Sequence, residues 1–138
     1  MSQFLNWQLT ILARYFDAKT ESWTEQNATA KTYPLLNNFI LEELVDGDLV
    51  GINIFYYSVE HGRIEAMWLD NHLGNGGQTY LYTQAEKDSE YIFVSESDQL
   101  TRQRFFNIKE GYYEWSLEAL INGKWQQQIH YIHSLQKS

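Results

Sequence analysis

The feature that most constrains this chain is an alternation of apolar and polar residues within short runs bounded by turn-forming residues. Near the N-terminus, one parity carries Trp7, Leu9, Ile11, Ala13 and Tyr15. Near the C-terminus, one parity carries Tyr113, Trp115, Leu117, Ala119 and Ile121, and the other carries Tyr112, Glu114, Ser116 and Glu118. Side chains of a strand alternate between its two faces, so this period of two predicts half-buried antiparallel strands.

Turn signals separate these runs at intervals of roughly 10 to 15 residues, which is one strand plus one tight connection. They are Asp46-Gly47, His61-Gly62, Asn75-Gly76-Gly77, Asp88-Ser89, Ser97-Asp98, Glu110-Gly111 and Asn122-Gly123. Helix signals are scarce, and only a short turn near the start or around Lys87 is expected. The single proline, Pro34, is expected at a strand end or bulge.

The 138 residues are predicted to form one all-β domain, residues 1–138. About ten strands in simple succession must protect their edges, and up-and-down strands do so by closing on themselves. The predicted fold is therefore a closed antiparallel meander barrel of about eight to ten strands. Such a barrel has room for side chains or for one small ligand.

The register of the last hairpin is predicted from its apolar positions. A two-residue turn at Asn122-Gly123 would set apolar positions opposite polar ones along a regular ladder. A three-residue loop, 121–123, would instead bring the apolar positions of the two strands together. It would pair Ala119 with Trp125, Leu117 with Gln127, Trp115 with Ile129, and Tyr113 with Tyr131.

Composition limits the classes of partner. A net charge of −8 disfavours nucleic acid and anionic membrane surfaces. The chain has no cysteine, no visible signal peptide and no apolar stretch of transmembrane length, so we expect a soluble, cytoplasmic protein. No metal, cofactor or nucleophile motif is found, the oligomeric state is open, and whether the protein is an enzyme stays uncertain.

Several segments, in the same order along the chain, resemble a widespread bacterial family of lipocalin-like (calycin) barrels that is itself a domain of unknown function. They are Asn6-Trp7-Gln8, the segment 37–43, Gly51, Tyr56-Tyr57-Ser58, Trp68-Leu69-Asp70, Tyr113-Glu114-Trp115 and Gly123-Lys124-Trp125. Ser58 and Val59 stand where the family has an Asp-Pro turn. The resemblance implies the lipocalin-like barrel, and fold alone does not imply a function.

Aromatic residues make up 16 % of the chain, and large rings suit both strands and the walls of a binding cavity. The predicted partner is therefore a small apolar or aromatic ligand inside the barrel. The side chains expected to line its site are Trp7, Trp68, Asp70, Tyr113, Trp115, Trp125, Tyr131 and His133. Two of them have a structural alternative: Asp70 could cap a turn, and His133 could be a hydrogen-bonded core residue.

Two other functions stay open. The barrel could be filled by its own side chains and serve as a structural or interaction module. It could also be a small isomerase- or lyase-type calycin with Asp70 and His133 as acid and base, or bind haem through an inward His133. His61 and His72 are expected in solvent, and Glu42, Glu43, Glu114 and Glu118 on solvated faces.

Overall fold

The structure, a computed structural model, describes residues 6–35, 39–72, 78–87, 90–95 and 99–136; of residues 35 and 78–87 only the backbone is described. These residues contain ten strands. They are β1 (Trp7–Asp17), β2 (Ser22–Leu35), β3 (Phe39–Asp46), β4 (Leu49–Ser58), β5 (Arg63–Asp70), β6 (Gln78–Lys87), β7 (Glu90–Ser95), β8 (Thr101–Lys109), β9 (Tyr112–Ile121) and β10 (Lys124–Leu135).

The strands form a closed antiparallel meander. Each strand pairs with the next along the chain, and β1 pairs with β10 to close the barrel. The predicted all-β barrel is confirmed. No helix occurs in the described ranges, and Lys87 ends a strand.

The predicted turns that fall within the described residues are where strands end. Gly47, Gly62, Gly111 and Gly123 adopt positive φ at four of these turns. The other three predicted turns, at 75–77, 88–89 and 97–98, lie outside the described residues. Pro34 is opposite Ile40 near the end of β2, as expected of a residue that cannot donate to a ladder.

One end of the barrel interior is filled by aromatic rings. Phe55, Phe93 and Phe105 contact each other with ring centroids 5.4 to 5.8 Å apart. Tyr113 extends the cluster, 6.1 Å from Phe105. Edge-to-face and tilted ring pairs of this kind are favourable beyond the area that they bury. Among the described residues, a void of about 20 Å³ lies beside the cluster, which is about the size of one water molecule.

The predicted register of the last hairpin is wrong. Asn122 and Gly123 form a two-residue turn with φ of 52° and 76°, and Ile121 is opposite Lys124. A bulge between Gln127 and Ile129 then shifts the pairing by one residue. The apolar faces coincide beyond the bulge, where Trp115 is opposite Tyr131 rather than Ile129. The bulge thus brings the apolar faces of β9 and β10 together, as the three-residue loop was expected to do.

The outer face of β8, β9 and β10 is polar but is not all solvated, contrary to prediction. Glu118 is only 3 % exposed and accepts hydrogen bonds from Arg102 at 2.8 Å and Ser116 at 2.7 Å. His130 is likewise buried between Arg14 at 2.9 Å and Glu114 at 2.7 Å. Ion pairs and hydrogen bonds across neighbouring strands therefore cover this side of the barrel.

Candidate functional site

The other end of the barrel interior contains a cavity of about 340 Å³. Its rim residues are at strand ends: Leu49 begins β4, Asp70 ends β5 and Thr101 begins β8. The lining comes from strands around the barrel and comprises Glu42, Leu44, Leu49, Asn53, Trp68, Asp70, Thr101, Arg102, Gln103, Trp115, Leu117, Ile129, Tyr131 and His133. The barrel is thus filled at one end and hollow at the other.

The β4–β5 wall of the cavity is Trp68, which needs a glycine on the neighbouring strand. A Cβ on Gly51 would be 2.2 Å from Cη2 of the Trp68 indole, far inside van der Waals contact. The indole Nε1 donates to Asp70 Oδ2 at 2.6 Å. Asp70 also accepts from the backbone N–H of His72 at 2.7 Å. Asp70 therefore both caps the turn and borders the cavity.

The opposite wall is formed by Trp115 and Tyr131, with ring centroids 4.8 Å apart. Trp115 Nε1 donates to Gln103 Oε1 at 2.8 Å. The Tyr131 hydroxyl donates to Asp46 Oδ2 at 2.6 Å and is 2.8 Å from the Tyr15 hydroxyl. Burial, reinforced by the hydrogen bond to Asp46, raises the pKa of Tyr131. These bonds fix the orientation of both rings.

A carboxylate lies inside the barrel where the cavity meets the aromatic cluster. Glu42 is 5 % exposed, so its predicted solvated position is wrong. It accepts from Tyr113 at 2.6 Å and from Asn53 Nδ2 at 2.9 Å. Burial raises the pKa of Glu42, and these two hydrogen bonds oppose that rise. Both carboxyl oxygens of Glu42 therefore have a hydrogen-bond donor, and burial remains the larger effect on its pKa.

His133 lines the same cavity and contacts Tyr113, the residue that donates to this carboxylate. Its ring is stacked on Tyr113, with centroids 3.9 Å apart and planes 15° apart. The side chain is 2 % exposed, and burial lowers its pKa to about 3. The imidazole is therefore neutral at pH 7. Its Nδ1 is buried and has no hydrogen-bond partner among the described residues.

The structure brings together most of the residues predicted for the site. Trp68, Asp70, Trp115, Tyr131 and His133 line the cavity. Tyr113 is not part of the lining, but it donates a hydrogen bond to Glu42 and its ring is stacked on His133. The Trp7 ring is stacked in turn on Tyr113, with ring centroids 6.3 Å apart. The ligand-binding role of these residues stays a prediction.

Trp125 does not reach the cavity. The bulge in β10 places it opposite Leu120, on the outer face, where the Arg102 guanidinium is 4.4 Å from its ring. Its expected inward position is wrong because a bulge reverses the parity of every residue before it. His61 and His72 are exposed, as predicted.

Sequence reasoning missed five polar residues of the cavity lining, Glu42, Asn53, Thr101, Arg102 and Gln103, of which Glu42 and Asn53 are the most buried. The inward parity of β3 reads Ile40, Glu42, Leu44 and Asp46, while the outward parity mixes apolar and acidic residues as well. Neither face was distinguishable by hydropathy. The informative signal is the cross-strand pairing of Glu42 with Asn53. That pairing can be recognised only when the register of β3 against β4 is known.

Comparison with protein-family models and with curated proteins gave no match for the sequence. Among the described residues there is no helix of the length and apolar character that crossing a membrane requires. The same residues contain no group of three or more histidine, cysteine, aspartate or glutamate side chains arranged to hold a metal ion.

Proposed function

We propose that the protein binds a small apolar or aromatic molecule in the hollow end of its barrel. The observation that carries this proposal is the cavity of about 340 Å³ walled by Trp68, Trp115 and Tyr131. Pockets for small molecules have volumes of roughly 300 to 1,000 Å³ and apolar, aromatic walls with a few polar groups. The contrast with the filled end supports this function over a solid structural module.

The proposal extends to the class of protein. The ten-stranded meander and the ordered sequence resemblances support a lipocalin-like barrel related to the bacterial family of unknown function. In that class, the ligand enters at one open end of the barrel. The rim residues Leu49, Asp70 and Thr101 mark that end here.

Titration with N-phenyl-1-naphthylamine, a neutral and apolar fluorophore, tests the proposal. We expect saturable enhancement of its fluorescence by the protein. Trp115→Ala should raise Kd about tenfold, since loss of an aromatic contact is worth on the order of 1.4 kcal/mol. Trp125→Ala is the matched control, because Trp125 lies outside the barrel, and should leave Kd unchanged. Absence of saturable binding, or equal effects of both variants, would refute the proposal.

A second candidate function is acid–base catalysis in the same cavity. Glu42 and His133 border the cavity, and burial raises the pKa of the first and lowers that of the second. Buried titratable groups with shifted pKa values at a cavity are typical of functional sites. The pair differs from the predicted one, because Glu42 replaces Asp70 as the acidic partner.

Exchange of carbon-bound hydrogen tests this second candidate. The protein would be incubated in D₂O with a panel of small α,β-unsaturated and β,γ-unsaturated ketones, and deuterium uptake followed by NMR. Catalysed exchange that both Glu42→Gln and His133→Gln abolish is the expected result. Exchange equal to the buffer rate across the panel would leave ligand binding as the better account.

A further inference from the structure

The aromatic hydrogen-bond donors around the cavity are already used inside the protein. Four side chains each donate to a neighbouring acceptor at 2.6 to 2.8 Å: Trp68 to Asp70, Tyr113 to Glu42, Trp115 to Gln103, and Tyr131 to Asp46. Each of these N–H or O–H groups has a single proton to give. A bound molecule therefore cannot rely on them to bind its own acceptor atoms.

Acceptor capacity, in contrast, is left over. Asn53 is 3 % exposed, and its Oδ1 is buried without a hydrogen-bond partner among the described residues. The Glu42 carboxylate accepts hydrogen bonds from Asn53 and Tyr113, and a carboxylate offers about four lone-pair sites. Unpaired buried acceptors cost free energy that a donor ligand would recover.

The charges that border the cavity also favour a ligand that donates hydrogen bonds. Glu42 and Asp70 bring carboxylates to the lining. Arg102 is the one permanent cation in the described lining, and its guanidinium is held on the outer face by Glu118 at 2.8 Å and by the Trp125 ring. The described lining is therefore electronegative, with no cation directed inward to neutralise a carboxylate ligand.

We infer that the ligand is a small arylalkylamine, an amine joined to an aromatic ring through an alkyl chain, bound as its ammonium cation. The ammonium group would donate to Asn53 Oδ1 and the Glu42 carboxylate, and its ring would lie between Trp68 and the Trp115–Tyr131 wall. An ammonium near aromatic faces gains a further cation–π attraction, which strengthens as the site excludes water. This inference rests on the proposed function and adds to it the charge and the hydrogen-bonding class of the ligand.

Three probes of similar size separate the classes: 2-phenylethylamine, 2-phenylethanol and phenylacetate. Calorimetric titration at pH 7 should show the amine binding at least about tenfold more tightly than the alcohol, and the carboxylate binding more weakly than either. Equal affinity for amine and alcohol, or preference for phenylacetate, would overturn the inference while leaving a ligand-binding barrel. Failure of all three probes and of N-phenyl-1-naphthylamine would overturn the proposed function itself.

Glu42→Gln tests whether the Glu42 carboxylate recognises the positive charge of the amine. The variant keeps the side-chain volume and should reduce the amine-to-alcohol affinity ratio about tenfold, with little change in affinity for the alcohol. Glu43→Gln is the matched control, since it makes the same change one residue away on the exposed face and should leave the ratio unchanged. An unchanged ratio in folded Glu42→Gln would contradict the assigned position.

A second pair of variants keeps the test decisive if Glu42→Gln does not fold. Asp70→Asn at the cavity rim should lower the ratio, whereas Asp48→Asn in the exposed β3–β4 turn should not. Equal effects of the two aspartate variants would show only a long-range effect of net charge. That result, together with a ratio near one in the unaltered protein, would exclude a specific ammonium site.

Discussion

Gly51 shows how one residue without a side chain shapes the cavity wall. Its φ is not in the left-handed region, and the three atoms nearest to a Cβ at this position all belong to the Trp68 indole. Gly51→Ala should displace the indole and lower the free energy of unfolding by about 1–3 kcal/mol as an overpacking change. Urea denaturation of the single variant, and of the same change made together with Trp68→Leu, measures this cost.

In the Trp68→Leu background the added methyl group no longer meets an indole, so Gly51→Ala should be nearly neutral there. The difference between its two costs measures the contact directly, because the two residues are neighbours across β4 and β5. An equal cost of Gly51→Ala in both backgrounds would show that the backbone, and not the indole, requires glycine at this position.

The Tyr131 hydroxyl links the cavity wall to the buried Asp46, which also accepts a hydrogen bond from Gln26. Tyr131→Phe removes one donor from a buried carboxylate and should lower the free energy of unfolding by about 1–3 kcal/mol. Tyr33→Phe is the control, because that hydroxyl donates to Glu43 at the surface. Equal losses for the two variants in urea denaturation would mean that the Asp46 bond adds no stability of its own.

His133 makes stability depend on pH in a predictable direction. The unfolded chain binds a proton near the ordinary pKa of about 6.5, whereas the folded protein binds one only near pH 3. The histidine therefore stabilises the fold fully above pH 6.5, and that stability falls by about 1.4 kcal/mol per pH unit between these values. Glu42 opposes this slope, because its raised pKa favours the folded state on acidification.

Urea denaturation between pH 7 and pH 4 measures the slope. His133→Gln should flatten it, and Glu42→Gln should steepen it, since each variant removes one of the two opposing groups that face Tyr113 and Tyr131. His72→Gln, at an exposed position, should leave the slope as it is. A slope that His133→Gln does not alter would contradict a neutral, buried imidazole.

The β9–β10 hairpin depends on its turn as much as on its strands. Asn122 and Gly123 both have positive φ, the combination that a tight hairpin turn requires. A Cβ on Gly123 would meet no atom within 4 Å, so Gly123→Ala tests the backbone alone. It should cost about 1–2 kcal/mol by thermal or urea denaturation, whereas the exposed Lys124→Ala should cost little. Equal stability of Gly123→Ala and the unaltered protein would mean that the turn relaxes without cost.

The same hairpin shows what can and cannot be predicted from the sequence. Alternation identified both strands, and Asn122-Gly123 identified the turn. The bulge at Gln128 had no signal of its own, because three consecutive glutamines, 126–128, give neither face a hydropathy that would fix the pairing. That one unpaired residue moved Trp125 out of the predicted site. The alternation of side chains along a strand therefore predicts which residues face a site only as far as the nearest bulge.

At the scale of the whole molecule, closure of the barrel explains why buried polar residues escaped prediction. A closed interior gathers side chains from strands far apart in sequence, such as Glu42 and Tyr113, which are 71 residues apart. Neither strand alone contains the partner that satisfies its polar group. The fold could be inferred from local patterns, whereas the polar part of the site depends on long-range pairing that only the assembled barrel supplies.

The division into a filled end and a hollow end gives the last prediction. Leu117→Phe adds ring atoms next to the cavity of about 340 Å³, so the fold should accommodate the larger side chain with little change in stability. The same variant should weaken N-phenyl-1-naphthylamine binding about tenfold or more by occupying ligand space. Phe93→Trp is the matched enlargement at the filled end, where Phe55 and Phe105 leave no comparable space.

Phe93→Trp should cost about 1–3 kcal/mol as an overpacked core, with probe affinity unchanged in the protein that stays folded. Urea denaturation and fluorescence titration of both variants separate the two ends of the barrel. A large stability loss from Leu117→Phe would indicate that the cavity closes in solution. In that case the ring of the new side chain would have no space to enter, and the binding site would have to be sought elsewhere on the barrel.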